Sequence, residues 1–225
     1  TLILSPLQRL IQQPQISNND KEKLEVIYRN ANRMNYLINE LLTFSKIEMK
    51  QMRISVRKGD IMHFLEELSH IFDIVAGERE IDFIVNLEDT EEEVWFSPSK
   101  LERILYNLLS NAFKYTQPGG YVKLSAKLIK EEKETFVQIS VKDNGRGIPK
   151  EAQEQIFESY YQVEKRDHRE GFGLGLSLTR SLIHMHKGEI RVESEVNEGS
   201  DFIVTLNVSE DAYGPDERSS ENITT

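Results

Sequence analysis

The chain has no cysteine. Disulfides, thiol nucleophiles and thiolate zinc sites are thereby excluded, and the composition fits a reducing compartment. Long apolar runs are missing as well: none approaches the ~18 residues that cross a bilayer. No charged-then-apolar leader opens the chain, so neither a membrane segment nor a signal peptide is expected within it. Positive charge is in deficit, with 28 Lys and Arg against 38 Asp and Glu, a net charge of −10. Such a surface is poorly suited to holding DNA or RNA, which needs a basic face, so no nucleic-acid partner is expected. Part of the excess lies at the end, where Glu210, Asp211, Asp216, Glu217 and Glu221 face Arg218 alone.

The 225 residues suffice for one large domain or two small ones, and two textures divide them. Residues 1–50 read as two helices joined by a short turn. Leu2, Ile3, Leu7, Leu10 and Ile11 recur at helical spacing. Pro14 and Ser17-Asn18-Asn19-Asp20 interrupt, and Asn19 or Asp20 can cap a second helix running to about Glu48. There Leu24, Ile27, Ala31, Met34, Ile38 and Leu41 alternate spacings of three and four, a bundle seam, which Leu37, Leu42 and Phe44 widen. A lone hairpin would expose this seam, and a homodimer forming a four-helix bundle would cover it.

Residues 51–208 mix strands and helices. Ile54-Ser55-Val56 reads as a strand, and Asp60 to Val75 as an amphipathic helix. Ile81, Phe83, Val85 and Leu87 alternate as a strand does. A helix follows from Leu101 to Phe113, then strands through Val122–Leu128 and Val137–Val141. Gly171 opens a helix reaching about His186, and strands carry Ile190 and Val192, then Phe202, Val204 and Leu206. Residues 209–225 read as a polar, acidic tail or linker.

Four segments carry chemistry. Asn107, Asn111, Lys114 and Tyr115 share one side of a helix; amide oxygens there can complete a magnesium shell and the lysine can meet phosphate. Asp143-Asn144-Gly145-Arg146-Gly147-Ile148-Pro149 follows a strand, with an acid to accept a hydrogen bond and glycines for a tight turn. Ile156-Phe157-Glu158-Ser159-Tyr160-Tyr161, followed by Lys165, Arg166, Arg169 and Glu170, has the pattern of an aromatic anchor beside a mobile lid. Gly171-Phe172-Gly173-Leu174-Gly175-Leu176 runs into a helix start, where free N–H groups and the dipole favour an anion. It has neither the dinucleotide glycine spacing nor a Gly-Lys-Ser/Thr. Taken singly, these segments also read as a solvated stripe, a strand-end turn, an exposed loop and a hinge.

Their order is far more specific. Asn107–Thr116, Asp143–Pro149, Phe157–Tyr161 and Gly171–Leu176 resemble the N, first glycine, F and second glycine boxes of bacterial sensor histidine kinases. Leu41-Leu-Thr-Phe-Ser-Lys-Ile-Glu48 resembles the end of that family's second phosphotransfer helix. The likeness extends over about residues 1–208, and the stretch 94–116 also resembles hybrid kinases of gut Bacteroidetes. It implies an α+β chain: a helical hairpin (1–50), then a Bergerat-type α/β sandwich with a mixed sheet (51–208) that binds ATP and Mg²⁺. It implies Asn111 as the metal ligand, Lys114 on the phosphates and Tyr115 packed on the nucleotide. Asp143 would take the adenine amino group. Gly145, Gly147, Ile148, Phe157, Gly171, Gly173, Leu174, Gly175 and Leu176 would shape pocket and lid, with Asn107, Asn111 and Lys114 acting in catalysis. A response-regulator receiver domain is the implied partner. The implied location is the cytoplasm, with anchoring in the inner membrane through segments outside this sequence.

Some positions depart from the family. None of His63, His70, His168, His184 and His186 lies in the acceptor-histidine motif, and Thr1-Leu-Ile-Leu resembles the residues just after it. The chain is therefore expected to bind ATP without phosphorylating itself. Ser97 stands where an aspartate is common, Phe172 where a small Thr or Ser is usual, and Lys187 in place of a glycine. His184 and His186, two apart, do not face together, and a structural or surface role is expected of them. Two alternatives stay open: a nucleotide-binding pseudokinase or dimerisation module, and an ATPase of the same fold. The second is disfavoured because Asn107 occupies the place of the glutamate that would activate water, and an amide is a poor general base.

Overall fold

The computed structural model describes residues 4–11, 16–49, 51–162 and 173–219. Two helices come first, α1 (Leu4–Ile11) and α2 (Asn18–Glu48), which lie against each other. Ser17, not Asn19 or Asp20, caps α2: its hydroxyl accepts the Asp20 N–H at 3.2 Å. The seam expected on α2 is uncovered here, with Ile27, Met34, Ile38 and Leu41 each about half exposed or more. The opposite is true of Glu40, a buried carboxylate on the same helix.

The remaining elements are β1 (Arg57–Asp60), α3 (Ile61–Arg79), β2 (Asp82–Leu87), β3 (Glu93–Phe96) and α4 (Pro98–Tyr115). They continue with β4 (Tyr121–Lys130), β5 (Thr135–Asp143), α5 (Gly175–Met185), β6 (Glu189–Glu195) and β7 (Gly199–Asn207). Five strands form one mixed sheet in the order β2-β4-β5-β7-β6, parallel only between β2 and β4. The outer pair β1–β3 is antiparallel. The strand expected at 54–56 thus begins later, and β3 had no sequence signal, because four residues are too few to show alternation.

Alternation decides which side of the sheet is covered. Val122, Leu124 and Ala126, Val137, Ile139 and Val141, and Phe202, Val204 and Leu206 all point to one face and are buried beneath the helices. Lys127 and Lys142, at the alternate positions, stay exposed. Helix α4 buries Leu101, Ile104, Leu105, Leu108, Leu109, Ala112 and Phe113, a full helical stripe. At about 1.5–3 kcal/mol for each large side chain, this stripe anchors α4 firmly and aims its other side at the site. Asp60 caps α3 through the His63 N–H at 3.0 Å. Ser97, at the start of α4, makes no side-chain cap; Pro98 follows as a pre-organised first residue.

Residues 209–219 are folded rather than a loose linker. Tyr213 is buried, its hydroxyl donating to the carbonyls of Asn207 (2.5 Å) and His186 (3.2 Å). The Val56 N–H donates to the Glu217 carbonyl at 2.7 Å, and the Ser219 N–H to the Val56 carbonyl at 2.9 Å. Polarity misled here, because one buried tyrosine and a main-chain pairing suffice to hold an acidic segment in place.

Candidate functional site

A cleft of about 450 Å³ lies between α4, the turn after β5 and the start of α5, within the size range of small-molecule sites. Asn107, Asn111, Lys114, Tyr115, Asp143, Gly147, Ile148, Gly173, Leu174, Gly175 and Leu176 all line it. Three expected residues do not. Gly145 sits behind the wall, donating its N–H to Asp143 Oδ1 at 2.8 Å, and a side chain there would strike the Tyr115 carbonyl. Phe157 is buried edge-on against Phe202, ring centres 6.4 Å apart, and its neighbour Ile156 reaches the cleft instead. Gly171 lies outside the described residues, as do Phe172 and the charged run expected of a lid. The flanks of that segment meet, with the Tyr160 N–H donating to the Gly173 carbonyl at 3.0 Å.

Asp143 ends β5 at the floor of the cleft, almost wholly buried. Burial pushes its carboxyl up to about 6, the backbone N–H groups of Gly145 and Ser200 pull the other way, and nearby Asp201 raises it further. Such an acid gains most from an added donor. The turn beside it requires glycine at Gly147: its φ is +68°, and a Cβ would collide with the Glu195 carbonyl. Gly173 has φ +70°, with the Tyr161 carbonyl 2.5 Å from where a Cβ would stand.

At the other side of the cleft, the α4 residues turn polar groups inward. Asn107 and Asn111 stand one helical turn apart. The Asn107 Nδ2 donates to Thr179 Oγ1 on α5 at 2.8 Å, and a Cβ on Gly175 would lie 2.5 Å from Asn107 Oδ1. Lys114 Nζ donates to the Tyr115 hydroxyl at 3.0 Å, and the Arg146 guanidinium lies 4.4 Å from the Tyr115 ring centre, a cation–π distance. The site is therefore apolar toward Ile148, Ile156, Leu174 and Phe202, and polar or cationic toward α4.

The motifs did not single out Arg146, Ser200, Phe202 or Glu40, all of which line the cleft. Arg146 lies inside the glycine-turn motif and could have been found there. Ser200 and Phe202 arrive through strand pairing, Asp143 opposite Ser200, and have no local signal. Glu40 comes from α2, which also meets α4 where Arg103 donates to the Thr43 hydroxyl at 2.8 Å.

Among the described residues, no group of three or more His, Asp or Glu side chains could hold a metal ion. The α4 face of the cleft offers amide oxygens, which suit Mg²⁺ beside a nucleotide. Neutral amide oxygens from Asn107 and Asn111 would complete a shell otherwise made of phosphate oxygens and water, the way magnesium is usually held beside a nucleotide.

Residues 96–210, just over half of the chain, match the family described as histidine kinase-, DNA gyrase B-, and HSP90-like ATPase. The chain belongs to that family. Among curated members, Histidine kinase P4 of Formosa agariphila is 35% identical over 211 residues, covering 92% of this chain and 15% of its own. It is consistent with the Bacteroidetes resemblance. Sensor histidine kinase WalK of Bacillus subtilis is 34% identical over 190 residues, 84% of this chain and 31% of that one. The chain thus spans less than a third of either relative's length. Among solved structures, full-length ShkA in complex with AMPPNP superposes with a TM-score of 0.76 at 23% identity, covering 92% of this chain and 44% of ShkA. The nucleotide-free catalytic domain of histidine kinase ThkA gives 0.61 at 25% identity over 71% of this chain and 100% of that domain.

Proposed function

We propose that this chain is the ATP-binding catalytic part of a two-component sensor protein-histidine kinase. The observation that carries it is the convergence of a buried acceptor, Asp143, with the Asn107–Asn111 turn and Lys114 in one cleft. Asp143 accepts a hydrogen bond from the exocyclic amino group of adenine, and Ile148, Leu174 and Phe202 exclude water from the ring. Lys114 faces the phosphates. The N–H groups entering α5 at Gly173–Gly175 form an anion site. Mg²⁺, when bound through the two asparagine oxygens, screens phosphate charge. The γ-phosphoryl passes to a histidine nitrogen as its bond to the β-phosphate oxygen breaks, and positioning with charge stabilisation supplies most of the catalysis. The first histidine of this chain is His63, which follows the hairpin and begins no acceptor motif. No histidine of these residues therefore reads as the acceptor, and they are not expected to label themselves. The Asn107 amide offers no base to activate water, which favours transfer over hydrolysis.

The division of labour follows the sequence: residues 1–50 as a phosphotransfer and dimerisation hairpin, residues 51–208 as the catalytic domain. The uncovered stripe on α2 supports a homodimer through a four-helix bundle. The second partner is a response-regulator receiver domain. Among the described residues no helix is long and apolar enough to cross a membrane; the domain works in the cytoplasm, where ATP is, with any inner-membrane anchor elsewhere in the full protein.

Calorimetry with AMP-PNP and Mg²⁺ tests the site. Binding is expected, weakened about 100-fold by Asp143→Ala, as suits a buried charge-assisted hydrogen bond. Acid-labile phosphate should then appear on a supplied first helix carrying the acceptor motif, and not on this chain alone. A folded protein that ignores nucleotide defeats the reading. Binding without transfer reduces it to a nucleotide-binding module.

A further inference from the structure

We propose that Thr179 is a positioning residue for the phosphate end of the cleft: it sets the Asn107 amide with its oxygen toward metal and phosphates and its nitrogen away from them. This rests on the nucleotide reading of the site above.

An asparagine side chain presents an oxygen on one side and an NH₂ group on the other, and the two are nearly equal in size. A Mg²⁺ ion accepts only the oxygen. A free asparagine half-exposed in a cleft would sample both orientations, and every inverted amide would point donors at a cation. In this molecule the choice is made by α5. Thr179, 1% exposed, places its hydroxyl 2.8 Å from Asn107 Nδ2 and accepts one of its protons. The amide oxygen then lies on the other side, close to where Gly175 opens the helix without a side chain. A Cβ at Gly175 would occupy that space, 2.5 Å from the oxygen. Thr179 and Gly175 are one helical turn apart on α5, so one face of this helix both orients the amide and leaves room for its oxygen. The threonine hydroxyl lines no part of the main cleft; it acts through Asn107.

The test separates orientation from mere packing by measuring AMP-PNP affinity with Mg²⁺ and again in excess EDTA. The ratio of the two is the readout. Wild type is expected to show a clear Mg²⁺ enhancement. Thr179→Val, nearly equal in shape but without the acceptor, should cut that enhancement five- to tenfold, as expected for one lost hydrogen bond. Its EDTA affinity should move less than twofold. Thr179→Ser, which keeps the hydroxyl, should restore the ratio. In an Asn107→Ala background, Thr179→Val should add nothing further. If Thr179→Val leaves the ratio intact, or lowers both affinities alike, the positioning role is overturned while the nucleotide site stands. If the folded wild type binds no nucleotide, the site reading itself fails, and this inference with it. Should Thr179→Val not fold by circular dichroism, Thr179→Ala replaces it under the same criteria.

Discussion

Asp143 and His186 are buried titratable side chains toward opposite ends of the main sheet, and they are held in opposite ways. At one end of β5, Asp143 pairs with Ser200 and looks into the cleft. At the other, Phe136 pairs with Asn207, whose N–H donates to the His186 carbonyl at 3.2 Å. His186 is fully buried with both ring nitrogens engaged: Nε2 accepts the Ser97 N–H at 3.2 Å, and Nδ1–H donates to the Leu182 carbonyl at 3.0 Å. Burial pushes this histidine down to about 4, so it is a neutral strut. Burial pushes Asp143 up to about 6, so at neutral pH it carries a charge that burial disfavours. A buried ionisable group therefore marks a site only where a cavity adjoins it. Where its own fold supplies every partner, it is architecture.

The sharpest way to break this contrast is His186→Ala. It removes a buried ring and leaves the Ser97 N–H without an acceptor, at an expected cost of about 3 kcal/mol in denaturant unfolding. AMP-PNP affinity should stay within twofold of wild type. A large loss of affinity at undiminished stability would show that the closed end is functional after all.

The pH dependence of stability tests both ends at once, because their signs oppose. Asp143 has a folded pKa of about 6 against an ordinary value of 3.8. The folded state therefore binds the extra proton between those values, and stability falls as pH rises from about 4 to 6. His186, lowered from 6.5 to about 4, works the other way: its contribution is complete above 6.5 and is lost as pH falls toward 4. Each amounts to roughly 3 kcal/mol by the usual conversion, so within this window they largely cancel. In Asp143→Asn the histidine dependence should be unmasked. The variant should gain stability relative to wild type at pH 7, by up to about 3 kcal/mol, and lose that advantage by pH 4. An unchanged difference between the two proteins from pH 4 to 7 would show that Asp143 is not held at an unfavourable charge.

The sequence made one end far more legible than the other. The cleft could be read because its residues fall in short motifs: Asn107, Asn111, Lys114 and Tyr115 on one helix side, Asp143 to Ile148 in one turn, and Gly173 to Leu176 before a helix. The alternating strands and the α4 stripe were legible for the same reason, since period two and period 3.6 are local properties. What escaped notice arrives through long-range contacts. Ser200 and Phe202 reach the cleft by strand pairing and Glu40 by the packing of a helix far away in sequence, while Thr179 acts on it from outside through a hydrogen bond to Asn107 spanning 72 positions. Tyr213 sits in a segment whose composition says linker, and its burial depends on carbonyls at 186 and 207 that no local window contains. The Phe157 side chain shows the converse error, a motif position that serves the core beside the site.

The smallest expected effect probes how completely the closed end is closed. Tyr213→Phe keeps the ring, which packs with Ile54 and Val56, and deletes only the hydroxyl that reaches two carbonyls. Those carbonyls belong to His186 and Asn207, the residues that tie the helix α5 terminus to the last strand. The His186 carbonyl still accepts the Asn207 N–H, so the deletion does not strand it. The expected loss is about 1 kcal/mol in unfolding free energy, that of a single net hydrogen bond. Nucleotide affinity and its Mg²⁺ enhancement should not move, because β7 separates this cluster from Ser200 by its whole length. If the unfolding change appears together with a matched change in affinity, strain at one end is reaching the other along β7. The two ends would then have to be treated as one coupled unit, with the folded segment 209–219 able to influence the cleft.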